Sequence, residues 1–180
     1  ATATATTNLD GNITNKGDVV CRNITKAGTD RNPGFGGIIG LSGTGNTKNF
    51  VLNDNIVLNN SGDVKVYGGV YSGSFGIAGI IGYNRSAIAV KNATNTGNII
   101  SATTFADGEH SCVAGISGST WEVKISNSKS YCNVAAFIWD GEANSVPTIE
   151  TAAEVGILSS TDYVSDNTVN CQIGGGWYKS

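Results

Sequence analysis

The chain has 180 residues and a mass of 18.5 kDa, the size of one ordinary domain. Its 25 Gly, 20 Asn, 17 Ser and 18 Thr make up 80 residues, and charged residues only 14%. This mixture argues against a helical bundle or a Rossmann enzyme, because Gly loses backbone entropy in a helix and Asn, Ser and Thr compete for its hydrogen bonds. A net charge of −3, with 11 Lys and Arg that never cluster, gives no footprint for nucleic acid, and 39% hydrophobic residues spread along the chain argue against disorder.

Residues 1–10 form a lead-in in which Thr2, Thr4 and Thr6 alternate with Ala, read as an N-terminal cap. It carries no basic n-region, and the chain contains no Met, so the sequence reads as a mature or excised fragment whose export signal, if any, has been removed. Residues 11–173 form a repeat domain. Five segments end a short alternating run in Asn and then turn: Ile13-Thr-Asn15-Lys-Gly17, Leu58-Asn-Asn60-Ser-Gly62, Ala93-Thr-Asn95-Thr-Gly97, and the degenerate Ile125-Ser-Asn127-Ser-Lys129 and Ser165-Asp-Asn167-Thr-Val169. The Asn positions lie 45, 35, 32 and 40 residues apart. A second motif alternates with the first: Phe35-Gly-Gly37-Ile-Ile-Gly40, Ile77-Ala-Gly79-Ile-Ile-Gly82, Val113-Ala-Gly115-Ile-Ser-Gly118 and Val155-Gly156-Ile-Leu-Ser159.

Each repeat reads as three short strands. One alternates before the Asn, one follows the turn (Val64 and Val66) and one carries the Gly-Ile pair. Asn and Gly suit the corner, since both tolerate left-handed backbone and Asn can bond its own backbone two residues on. A repeat of this length without a helix signal cannot bury its apolar face alone, and stacking its neighbours is the remedy. The fold expected is therefore all-β, a parallel β-helix of about four to five irregular coils with three short strands per coil. A β-sandwich of roughly eight strands is the alternative, but it needs no recurring two-motif order. Asn15, Asn60, Asn95, Asn127 and Asn167 should form a ladder along one corner, and Gly37, Gly79, Gly115 and Gly156 a second line. Ile38, Ile80, Ile116 and Ile157 should stack inside, with Trp121 in the core. Residues 174–180 read as a C-terminal cap.

Most chemistry sought in the sequence is missing a part. Gly40 to Thr47 imitates a phosphate loop, yet Asn46 stands where the Lys must lie. Asp10-Gly-Asn12 begins like a calcium loop, but Cys21 occupies the place of the distal Glu. The single histidine, His110, has no nucleophile elbow to serve, and with Cys21, Cys112, Cys132 and Cys171 far apart it builds no usual zinc site. Two disulfides and buried free thiols both fit these cysteines. Asp18 and Asp63 recur at one repeat position and read as structural. No cofactor or metal is expected, and the longest apolar run, 75–83, is too short and too Gly-broken to span a bilayer.

Loops vary where the repeats do not, and the largest excess falls at 138–147. Insertions in a solenoid map to one face, often the binding face. The ligand-binding candidates are accordingly Tyr67 and Tyr71 in a glycine-rich stretch, with Trp139, Asp140, Glu142 and Asn144 in the long loop. Rings there can stack on sugars while the polar groups fix orientation; stapling loops to the solenoid is the competing role.

The paired motifs Gly36-Gly37-Ile38-Ile39-Gly40 and Asn95-Thr96-Gly97-Asn98-Ile99, with their recurrences over residues 11–173, resemble the GLUG-type repeats of secreted and surface proteins, especially of Bacteroidetes. The resemblance implies an extracellular or cell-surface location and an adhesive or structural role, with a glycan or a host or cell-surface protein as partner. It supplies no catalytic residue. The function expected is a non-catalytic surface module, adhesin-like or structural, with glycans among its candidate ligands; the alternative is a carbohydrate-active β-helix enzyme, which would gather carboxylates from consecutive coils into one groove.

Overall fold

The computed structural model describes residues 7–24, 34–42, 50–71, 75–84, 88–105, 110–120, 123–137, 153–164 and 176–179. Among them all regular structure is β, and no helix is long and apolar enough to cross a membrane. The first repeat supplies β1 (Thr7–Leu9), β2 (Asn12–Asn15), β3 (Val19–Ile24), β4 (Gly34–Gly36) and β5 (Ile39–Ser42). The second supplies β6 (Phe50–Leu52), β7 (Val57–Asn60), β8 (Val64–Tyr71), β9 (Phe75–Ala78) and β10 (Ile81–Asn84). The third supplies β11 (Ile88–Lys91), β12 (Ala93–Asn95), β13 (Ile99–Phe105), β14 (His110–Ala114) and β15 (Ser117–Thr120). Then come the long β16 (Val123–Phe137), β17 (Ala153–Val164) and β18 (Gly176–Lys179).

Equivalent strands of successive repeats pair in parallel, so the sheets are built across repeats rather than within them. Strands β2, β7 and β12 meet β16 in that order, as do β3, β8 and β13, and β16 joins both series into one nine-stranded sheet. Strands β4, β9 and β14 form the core of a second sheet, and β5, β10 and β15 a third. The registers are those of the repeats: Ile13 beside Leu58 beside Ala93, Val19 beside Val64 beside Ile99, and Phe35 beside Ile77.

Alternation then decides which residues are inside. Leu58, Val64, Val66, Ile77, Ile80, Ile81, Ile99 and Ile116 are fully buried. They fall in two clusters, one around Ile56, Leu58, Ile80 and Ile116 and one around Val64, Ile77, Ile99 and Val113. Ile38, Ile80 and Ile116 share the first cluster, with the Ile38 N–H donating to the Ile80 carbonyl at 3.3 Å.

The fourth repeat departs from the expected plan in two ways. Strand β16 is unbroken at the position where earlier repeats pass from one strand to the next after Asn15, Asn60 and Asn95, and it keeps one register beside β12 (Asn95 beside Ser130) and β13 (Ile99 beside Val134). Strand β17 pairs with it antiparallel, placing Ile157 beside Tyr131. Gly156 and Ile157 therefore do not continue the lines of Gly115 and Ile116. The motif at 155–159 lacks the closing Gly, which Ser159 replaces; a Cβ on Gly82 or Gly118 would overlap backbone of the neighbouring strands, so a side chain at this place does not fit the earlier packing. The segment lies along the exposed edge of β16. Strand β18 likewise pairs antiparallel with β14, from His110 beside Lys179 to Val113 beside Gly176.

Candidate functional site

The corner after the first strand of each repeat carries the most organised polar structure. Asn15 Nδ2 donates to Asn60 Oδ1 at 2.8 Å, and Asn60 Nδ2 donates to Asn95 Oδ1 at 2.7 Å. Each amide also closes its own turn: the Nδ2 groups of Asn15, Asn60 and Asn95 donate to the carbonyls of Gly17, Gly62 and Gly97 at 2.8, 2.8 and 2.9 Å. Asn60 and Asn95 are buried, 2% and 0% exposed, so these bonds satisfy groups that would otherwise be costly inside the fold.

The glycine motif faces this column and makes room for it. A Cβ on Gly37 would lie 2.6 Å from the Asn60 side chain, and one on Gly79 would overlap that of Asn95. The glycines also stack on each other, Gly79 N–H donating to the Gly115 carbonyl at 3.0 Å. The two sequence motifs are thus halves of one cross-section: the Asn needs depth, and the Gly opposite provides it.

Asn127 does not stand in the ladder. The register places Ser130 beside Asn95 and Lys129 beside Thr94, while Asn127 Nδ2 donates to Asn92 Oδ1. Asn92 and Asn127 both have left-handed backbone, φ 53° and 46°, which Asn tolerates better than other residues with a side chain. They mark a different corner, one strand earlier. The signal that identifies it is spacing: Asn92 to Asn127 is 35 residues, the same as Asn60 to Asn95, whereas Asn95 to Asn127 is 32. At the true fourth position the ladder ends on Ser130 Oγ, 3.1 Å from Cys132 Sγ. Cys132 and Cys21 are free thiols. Burial raises the pKa of both, and hydrogen bonds from Ser130 and Asn95 partly offset this at Cys132.

A second column runs along the outer side of the same corner. Asp18 Oδ1 accepts the Asp63 N–H at 3.0 Å, and Asp63 Oδ1 accepts the Asn98 N–H at 2.9 Å. Lys65 Nζ lies 3.0 Å from Asp18 and 2.9 Å from Asp63, neutralising two carboxylates that stacking would set against each other. The Lys65 hydrogen bond and the Asp63 N–H hold the Asp18 carboxyl below the usual range, and Asp63 and Asp18 raise the Lys65 pKa. Lys91 pairs with Asp54 in the same cross-repeat manner.

Tyr67 lies on the outward face of β8, yet it is only 4% exposed and packs with Ile100 and Ala102. The Arg22 guanidinium sits 5.2 Å from its ring centroid, a cation–π distance. Burial raises the phenol pKa. The ring is engaged by the chain itself, while Val20 on the neighbouring strand is 45% exposed and Arg22 is exposed. Tyr71 ends β8 beside Phe105. Trp121, Trp139, Asp140, Glu142, Asn144 and Asn167 lie outside the described residues. Among the described residues, no group of three His, Cys, Asp or Glu is arranged to hold a metal ion.

Together these features define an all-β repeat protein whose parallel strands stack repeat on repeat. The chain matches no protein-family model, no curated protein and no solved structure.

Proposed function

We propose that the protein is a parallel β-helix of about four to five irregular coils, working as a non-catalytic extracellular or cell-surface module of the GLUG-repeat type. The amide ladder from Asn15 through Asn60 to Asn95 carries this reading. Inward-facing amides bonded at the spacing of parallel strands are what successive turns of one chain produce when they wind in the same sense. The charges support it too, since Asp18, Asp63 and Asp54 are occupied by backbone N–H groups or lysines of neighbouring repeats. A carbohydrate-active enzyme would need carboxylates free to exchange protons with a substrate.

The role is adhesive or structural, with a glycan or cell-surface protein as partner. The ligand face runs along the outward side of β3 and β8, with Val20 and Arg22 exposed there; Tyr71, Trp139, Asp140, Glu142 and Asn144 are the further ligand candidates that the sequence offers. The test is a glycan-array screen of the protein, followed by titration of any sugar it binds against Arg22→Ala and a Tyr71→Ala, Trp139→Ala double variant. Weakened binding in variants that melt like the parent supports this face. Unchanged affinity removes it, and cleavage of any arrayed polysaccharide overturns the non-catalytic role.

A further inference from the structure

The two ends of the stack differ. Among the described residues, all five strands of the first repeat, β1 to β5, pair on one side only, with β6, β7, β8, β9 and β10. At the other end, antiparallel strands β17 and β18 cover the edges of β16 and β14. Burial follows the same gradient. Ile13, Val19, Phe35, Ile38 and Ile39 are half-buried, whereas the residues stacked beneath them, Leu58, Val64, Ile77, Ile80 and Ile81, are 0% exposed.

The amide ladder also has a direction. Each Nδ2 donates to the Oδ1 of the following repeat, so every Oδ1 after the first accepts from the repeat before it. Among the described residues, Asn15 Oδ1 accepts the N–H of Gly17 in its own turn, at 3.2 Å, and no amide of another repeat, which leaves acceptor capacity toward the open end. We infer that the open end, formed by β1 to β5 and the Asn15 amide, is an interface for a further repeat of the same sense, whose corner Asn donates Nδ2 to Asn15 Oδ1.

The polarity decides between occupants. Two copies meeting open end to open end would bring two Oδ1 acceptors together without a donor. A copy meeting the opposite end would encounter the antiparallel strands β17 and β18 rather than parallel edges in matching register. A preceding repeat with Asn-x-Gly at its corner satisfies the backbone edges, the apolar residues and the acceptor at once.

This inference rests on the β-helix reading, and the test separates the two. A copy of residues 57–92 replaces residues 1–12; Val57 pairs with Asn12, so the copy enters in register and its Asn lies 35 residues before Asn15. The expected result is one cooperative denaturant transition with a higher midpoint and an m-value larger by about an eighth, in proportion to the added chain. Asn60→Leu in the added copy alone should abolish most of the midpoint gain. A separately melting or readily proteolysed added segment, with an unchanged midpoint for the rest, overturns the inference. So does a concentration-dependent dimer of the parent in sedimentation, which would mean that a second copy takes the open end. Spin labels at Thr14 and Thr94, both beside Asn59 and so about 10 Å apart across two strand spacings, report the stack itself. Labels at that separation with a failed fusion reject the open-end interface and leave the stack standing.

Discussion

The corners at Asn60 and Asn95 and the position of Ser130 occupy one column, yet the chain does different things there. At the first two a buried amide bonds along the stack and to the Gly carbonyl of its own turn, and the strand bends. At the third, Ser130 is too short to continue the ladder, Cys132 stands where Gly62 and Gly97 stood, and β16 passes the corner as one unbroken strand in constant register with β12 and β13. The close stacking of the corner glycines explains why the residue type matters. A Cβ on Gly97 would overlap the Gly62 carbonyl, so a side chain there is incompatible with the tight turn. Where Asn and Gly are lost together, strand pairing runs unbroken through the corner, and the other edge of that strand pairs with antiparallel β17. The pair of residues, rather than either alone, marks the break between strands.

The largest expected effect lies between the corners. Ile80 is fully buried in the second repeat, and Ile80→Ala should lower stability by about 2–5 kcal/mol in denaturant titration, because sheets on either side prevent collapse of the cavity. Asn60→Leu comes next, at about 2–4 kcal/mol, since it removes a 2% exposed amide and strands both Asn15 Nδ2 and Asn95 Oδ1. Asn127→Gly, which keeps the left-handed backbone and removes only an exposed amide outside the ladder, should cost less than about 1 kcal/mol. Equal losses at Asn60 and Asn127 would break the distinction between the two corners.

Much of this was legible in the sequence because the physical causes are local. Period-two alternation gave the strands, and the recurrence of Asn-x-Gly placed the corners at Asn15, Asn60 and Asn95. The relation between the motifs was not legible, because Gly37 meets Asn60 and Gly79 meets Asn95 only across the fold. Asn127 fits the ladder by residue identity but not by spacing: the 35-residue period points to Ser130, which looks nothing like the motif. Gly156 matches its motif too, but antiparallel pairing leaves an apolar pattern unchanged, so the direction of β17 is not written in it. Of the ligand candidates, Tyr67 shows the ambiguity best. A ring on the outward face of a strand is exposed by parity, but a neighbouring Arg22 and Ile100 cover it.

The comparison of corners can be sharpened by repairing the third. Ser130→Asn with Cys132→Gly restores both halves of the motif at a position already in register with Asn95 and Gly97. The new Oδ1 would accept from Asn95 Nδ2, and the double variant should gain about 0.5–1.5 kcal/mol, the net worth of one hydrogen bond. Either substitution alone should be neutral or destabilising, because an Asn without the turn leaves its Nδ2 unpaired and a Gly without the Asn only adds chain entropy. A double-mutant cycle by chemical denaturation measures the coupling, and additive effects would show that the corner is not set by the pair.

The smallest effect concerns the outer column, where Lys65 bridges Asp18 and Asp63. The Asp18 carboxyl is depressed, chiefly by the Lys65 hydrogen bond, so its contribution is present above the ordinary carboxylate range and is lost as pH falls through its lowered value. Lys65 is raised, chiefly by Asp63, so its contribution is present below the ordinary lysine value and is lost as pH rises through the raised one. Between these limits the column should stabilise the fold by less than about 1 kcal/mol, since the Asp18 side chain is 50% exposed and water screens the pair. Lys65→Met should remove the alkaline limb and weaken the acid one, which the Asp63 N–H still supports in part, while leaving the melt near neutral pH within a few degrees of the parent. The backbone bonds from the Asp63 N–H to Asp18 and from the Asn98 N–H to Asp63 survive that change, but the two carboxylates would then repel each other across one strand spacing. Added salt should therefore stabilise Lys65→Met more than the parent, because screening weakens that repulsion. An equal salt response in the two proteins would show that Lys65 does not neutralise the stacked carboxylates and that backbone bonding alone holds the column.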